Sequence, residues 1–377
     1  LQGGKKTNIT AAPGLVSAAL GWEKVESYDV GLDWGAFNNR LTGSFDYYVR
    51  NTKDMVGPAP ELPALLGTAV PKTNNTDLRT TGWELQIGWR DHLENGLNYG
   101  VTFNVSDAQA KVTRYPNNPT GSLSSYIENR KVGEIWGYET IGIAKTNDEM
   151  NQHLATLPNG GQSQLGDKWA AGDIMYKDLD GDGKISNGSN TLADHGDLKV
   201  IGNKTPRYLF GLDLTASWKG FDFRAFMQGV MKRDYSDARE FLFGATDSGV
   251  WWAAGITGVQ DYFRDSETWS VKNGYESENL NAYLPRPQYS GKNIHTQTRY
   301  LLNAAYLRMK NLQIGYTLPQ SLVSKAGLGN VRFFVSAENL FTITDLPSQF
   351  DPETIDTDYG NGYPLSRTFS FGVNVTL

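Results

Sequence analysis

The richest set of metal-binding oxygens in this 377-residue chain is Asp178-Leu179-Asp180-Gly181-Asp182-Gly183-Lys184-Ile185. Carboxylates at alternate positions, a glycine for the sharp turn and an apolar residue closing the run begin a calcium loop of the EF-hand type. Lys184 stands where such a loop lends a backbone carbonyl. The bidentate acid expected four residues after Ile185 is replaced by Ser189, so a helix–loop–helix calcium hand is not expected. What remains is a loop able to hold one Ca2+ through Asp178, Asp180, Asp182 and the Lys184 carbonyl. The ion would stiffen the loop and would not catalyse. The plain alternative is a solvated acidic turn without metal.

Other chemistry is sparse. The chain has no cysteine, which excludes disulfides and thiolate metal sites. Its four histidines, His92, His153, His195 and His295, show no ligand spacing and read as loop or surface residues. No serine-centred nucleophile motif, phosphate-cradling glycine loop or distinctive carboxylate pair occurs, so an enzyme is not expected. Trp251, Trp252, Tyr262, Phe263 and Trp269 crowd one long connection. Aromatics at that density can meet a partner protein, stack on a substrate, or form the loop's own small core; partner contact ranks ahead of substrate contact.

The elements that must carry these loops are strands. Residues 366–377 alternate without error, with Phe369, Phe371, Val373, Val375 and Leu377 on one face and Thr368, Ser370, Gly372, Asn374 and Thr376 on the other. The same period recurs around Tyr28–Trp34, Leu41–Val49, Trp83–Trp89, Leu97–Val105, Tyr208–Trp218, Phe221–Met227, Leu312–Tyr316 and Val331–Ala337. Connections between these runs alternate short and long, as in outer-membrane barrels. Trp34, Trp83, Trp89, Trp218 and Tyr316 lie where an interfacial girdle would sit. Asp213, Arg224, Gln228, Arg332 and Glu338 would face the lumen. The expected fold is therefore an all-β transmembrane antiparallel barrel segment of about nine strands. Its long loops span about 107–206 and 233–302. The competing architecture is a soluble β-sandwich, which would serve a secreted carbohydrate-binding or adhesive protein.

The totals agree with either. The formal charge of −6 gives no case for nucleic acid. A mean hydropathy of −0.46 and the lack of any run near 20 apolar residues exclude membrane helices but not membrane strands. The chain starts without a signal peptide and mid-pattern, which reads as a fragment or a processed product.

Several segments together resemble the SusC/RagA family of TonB-dependent outer-membrane transporters. They are Trp22–Asp33, Asp46–Met55, Gly82–Leu85, Asp178–Ile185, Val200–Gly202, Pro206–Tyr208, Trp218–Asp222, Leu307–Leu312 and the closing strand. The matches are collinear over essentially the whole chain. The resemblance implies a barrel of about 22 strands, an N-terminal plug, and import of glycan or peptide oligomers beneath a SusD-like surface lipoprotein. The chain would be its C-terminal part (1–377), with TonB acting through a plug-bearing part not present here. A sheet of nine strands has two open edges, so a companion segment carrying the plug and earlier strands is expected to close it in outer-membrane lipid. The resemblance also places Asp197 ahead of Val200-Ile201-Gly202 as a further metal ligand, with Asp194 as a substitute. One departure is the last residue, Leu377, where the family often has an aromatic.

Overall fold

The structure, a computed structural model, describes residues 17, 20–57, 71–236, 242–243, 260–288, 290–356, 363 and 365–377. Strands β1 (Lys24–Ala36), β2 (Leu41–Gly57), β3 (Thr73–His92) and β4 (Asn98–Arg114) form an antiparallel meander. The sheet continues through β9 (Arg207–Trp218), β10 (Phe221–Lys232), β13 (Tyr306–Thr317), β14 (Asn330–Glu338) and β16 (Thr368–Thr376). A short strand, β15 (Thr342–Thr344), adds to the loop end of β13.

Sequence-adjacent strands pair because the short turns leave no alternative. Lys219 and Gly220 both adopt positive φ (48° and 88°), and Trp218 faces Phe221 directly, which is the two-residue hairpin geometry that matches sheet twist. Phe37, Asn38 and Asn39 are also left-handed; asparagine tolerates that conformation, whereas Phe37 is strained there. The β13–β14 connection is longer, with α-helical Gln320–Val323, 3-10 Ser324–Ala326 and Gly327 at φ 72°. With the turn closed by Leu93 and Leu97 between β3 and β4, these make four short turns at one end of the sheet, and the long connections lie at the other.

One row of partners crosses all nine strands: Ala36, Leu41, Trp89, Val101, Leu214, Ala225, Leu312, Ala337, Phe369. In β1 this row touches the short turn, whereas in β16 it lies eight residues before the chain's last. The steady climb is the strand tilt that barrel walls require. Every member of the row is apolar, and the same-face row through Trp34, Gly43, Ile87, Phe103, Leu212 and Met227 repeats the pattern.

Among the described residues, most of that face is uncovered. Val30 is 74% and Phe371 80% exposed, and Leu32, Phe45, Ile87, Val101, Phe223, Ile314, Phe333 and Val335 are exposed with them. A β-sandwich would bury this surface against a second sheet about 10 Å away, so the competing architecture does not hold. Trp89 and Trp218 lie near the short turns, while Trp83 sits mid-strand in β3, within 6.4 Å of Tyr208. Six strand residues separate Trp83 from Trp89, about 20 Å, a span close to the height of a barrel's apolar band. The opposite face is polar. Asp213 pairs with Arg224 at 2.8 Å, and Arg332 donates to Asp222 at 2.9 Å.

The buried apolar core of the described residues lies in the long connections. It contains Tyr138, Leu157, Ile174, Tyr176, Ile185, Leu198, Leu284, Ile294, Tyr300 and Leu302. Short two-stranded sheets frame it: β5 (Glu134–Tyr138) with β8 (Leu198–Asn203), β6 (Thr140–Ile143) with β7 (Ile174–Tyr176), and β11 (Asp234–Tyr235) with β12 (Leu302–Asn303). Beside it runs α1 (Asn147–Ala155), capped by the Thr146 hydroxyl and burying Met150. β4 extends to Arg114 and β13 begins at Tyr306, so the first loop starts later than expected and the second runs slightly further.

Candidate functional site

β7 and β8 deliver the acidic loop. Asp178 follows β7 directly, and its two carboxylate oxygens accept the Gly181 and Gly183 amides at 2.6 and 2.9 Å. Both glycines have positive φ (77° and 79°), which a side chain would strain, and this lets the backbone curl around Asp178. Asp197 precedes β8 and is fully buried. Its oxygens accept the Leu179 and Ser186 amides at 2.6 and 2.7 Å. Ile185 fixes the far end of the loop by burying its side chain and donating its amide to Gly161.

Of the five carboxylates expected around a metal, three come together. One oxygen each from Asp178, Asp180 and Asp197 lies within 4.8 Å of the others. Oxygens at 2.3–2.6 Å from a common Ca2+ stand at most about 5 Å apart, so these residues fit such an ion. Burial raises the Asp197 pKa from its ordinary value and the nearby charges of Asp180 and Asp178 add to this, while the Leu179 and Ser186 amides oppose it. Asp182 and Lys184 instead pair with each other at 3.0 Å, and the Lys184 hydrogen bond holds the Asp182 carboxyl low. Asp194 accepts the Ser189 hydroxyl at 2.6 Å and caps a neighbouring turn. Asp182 and Asp194 thus drop out of the close group because each carboxylate has a local donor nearer at hand.

The aromatic residues divide. Phe263 is completely buried against Ala171 and Ala282, so a contact role for it is corrected to self-packing. Tyr262 is half-buried and donates its hydroxyl to Glu276 at 2.6 Å. Trp269 is 70% exposed and stacks on the equally open Tyr275, with centroids 5.4 Å apart. Trp251 and Trp252 lie outside the described residues.

Sequence reasoning did not anticipate the clamp between the two long loops. Asp173, fully buried, receives Lys292 Nζ at 2.8 Å, Asn293 Nδ2 at 3.0 Å and Gln288 Nε2 at 2.8 Å. Lys292 also donates to the carbonyls of Asp167 and Lys168, and its ammonium sits 4.9 Å from the Trp169 ring centroid. These partners are more than a hundred residues apart, and no local motif marks them.

No protein-family model matches the chain. The TonB-dependent receptor P3 of Formosa agariphila is 30% identical over 400 residues, covering 99% of this chain and 36% of the relative. The chain belongs to the SusC/RagA family of TonB-dependent outer-membrane receptors. The TonB-dependent receptor SusC of Bacteroides thetaiotaomicron is 23% identical across 97% of the chain and 33% of its own length. A solved structure of the RagAB peptide transporter superposes with a TM-score of 0.67 at 24% identity, covering 99% of this chain and 38% of that one. The chain spans about a third of the length of the curated relatives it matches. The bare apolar face is accordingly a stretch of outer-membrane barrel wall, and the relatives are named receptors and transporters, not enzymes.

Proposed function

We propose that this SusC/RagA segment forms part of the wall and the extracellular loops of a barrel of about 22 strands that imports glycan or peptide oligomers. In this reading a SusD-like lipoprotein closes the extracellular side, and TonB energises the cycle through a plug carried elsewhere in the protein. The observation that carries it is the tilted nine-strand sheet, apolar and uncovered on one face and polar on the other. Its outer strands, β1 and β16, each pair with a single strand among the described residues. Unpaired backbone groups in hydrocarbon cost several kcal/mol each, so both edges call for further strands. One of the relatives is named a peptide transporter, and another is named SusC, which supports import without choosing the cargo.

The test is purification of the native protein from outer membranes. Mass spectrometry should find a surface lipoprotein and a bound oligomer, and deletion of the gene should abolish growth on that oligomer. A protein that is monodisperse without detergent, or a deletion strain that grows normally on every oligomer tested, would end the import reading.

We also propose that Asp178, Asp180 and Asp197 hold one Ca2+ that stiffens the extracellular loop. Calcium should raise the resistance of the 178–197 segment to proteolysis, and Asp180→Asn should remove that protection. A titration calorimetry experiment with no calcium-dependent heat, or a segment equally resistant in chelator, would show an acidic turn and no more.

A further inference from the structure

The chain beyond β4 turns back on itself and builds a pocket apart from the acidic loop. Along β4, Ser106, Ala108, Ala110 and Val112 continue the polar side of the sheet, the side opposite the lipid-facing row. Val112 is buried there by the returning segment 115–133, whose Arg130 carbonyl accepts the Val112 amide. Between this segment and β5 lies an open cavity of about 370 Å3. It therefore stands on the lumen side of the loop-bearing rim.

Aromatic rings form its walls. Tyr126, 47% exposed, meets Tyr115 edge-on at 5.5 Å, and Trp136, packed against His195 at 5.5 Å, also lines the cavity. Arg130 lies over the Trp136 ring at 5.3 Å and is held in place by Glu134 at 2.8 Å. Lys131 and Lys204 also line the cavity, and neither ammonium is paired among the described residues. Three cations against the single carboxylate of Glu134 leave the lining at a formal +2, in a chain whose total is −6. The hydroxyls of Ser124 and Ser125 complete the wall.

We propose that this pocket binds a sugar ring carrying a carboxylate or sulfate group. The flat C–H face of a pyranose packs on the exposed Tyr126 ring, its hydroxyls match the mixed donors and acceptors, and its anionic group meets the Lys131 and Lys204 ammoniums. The volume is at the small end of the range for ligand sites and suits one or two rings. An extended peptide would need a run of free backbone groups along a strand edge. Here the backbone is already engaged: Asn129 donates to Val112, Lys204 to Gly133, and Tyr115 to Glu128. The proposal rests on the import reading only for the pocket's place at the rim, and equilibrium binding without energised uptake tests it separately.

The full-length transporter in detergent is titrated with a trimer of galacturonate, a sulfated disaccharide, a neutral glucose trimer and an acidic pentapeptide. The expected result is saturable binding of one or both anionic sugars, weakened by salt, with the neutral trimer at least tenfold weaker. Lys131→Gln with Lys204→Gln should lower the anionic-sugar affinity roughly tenfold and the neutral-sugar affinity far less. Tyr126→Ala should weaken both. A heat-modifiability gel confirms that each variant keeps a folded barrel. Equal affinity for neutral and anionic sugars, an unaffected lysine double variant, tighter binding of the acidic peptide, or no anionic-sugar binding at about 10 mM would each overturn the proposal. A transporter that imports a neutral oligomer yet binds these acids at this pocket would keep the inference while redefining the cargo.

Discussion

Lys292→Met is expected to release the two long loops from each other while leaving the barrel wall assembled. The lysine ammonium is the counter-charge to Asp173, and both groups are cut off from water. Removing one member of a buried pair typically costs about 3–5 kcal/mol, because the survivor stays charged and uncompensated. Gln288, Asn293 and the Ala170 amide still donate to Asp173, and Arg286 stands 3.8 Å away, so the lower end of that range is expected. Methionine keeps the aliphatic stem that lies beside Trp169, which separates loss of charge from loss of packing. Limited proteolysis should cut residues 139–176 and 279–300 much faster in the variant. Amide exchange in β9 and β10 should stay slow. Adding Asp173→Asn should restore part of the protection. Identical cleavage in wild type and Lys292→Met would mean that the apolar core around Tyr176 holds the loops together without the clamp.

The second large effect concerns the wall. Leu212 lies in β9 between Phe103 and Met227, in the middle of the uncovered apolar band. Leu212→Arg should destabilise the barrel by about 2–4 kcal/mol, the cost of an arginine near the bilayer midplane. Thr102→Arg, one row along and on the polar face beside Asp213, should change stability by about 0.5 kcal/mol or less. Urea unfolding of the full-length protein in lipid vesicles measures both. The contrast between the two faces is the informative quantity, because the added side chain is the same. Equal effects would mean that the apolar row does not face lipid.

Much of the wall was legible because a strand's side-chain period is two and a barrel wall has a different solvent on each face. Phe369 to Leu377 alone shows which residues face lipid. Asn38-Asn39 and Lys219-Gly220 mark hairpins because few other pairs accept positive φ. Hairpin turns of fixed length then set the register, and a slip of one residue would turn every apolar side chain inward. Collinear family segments carried the resemblance to relatives that the comparisons bear out. The tilt of the row from Ala36 to Phe369 was not legible, since it accumulates across nine pairings and no single hairpin contains it.

The loops behave differently because their contacts are distant in sequence and aperiodic. The local spacing of Asp178, Asp180 and Asp182 is visible in the sequence, yet it does not say which carboxylates converge. Asp182 turns to Lys184, two residues away, while Asp197 arrives from eighteen residues beyond Leu179. Composition likewise groups Tyr262, Phe263 and Trp269, but only packing separates a buried ring from an open one. The sequence by itself determined the wall, its two faces and its hairpins, because those follow from short-range periodicity and backbone sterics. Tertiary structure decided the loop core, the Asp173–Lys292 clamp and the cationic pocket above β4, because burial and charge pairing depend on which distant segments meet.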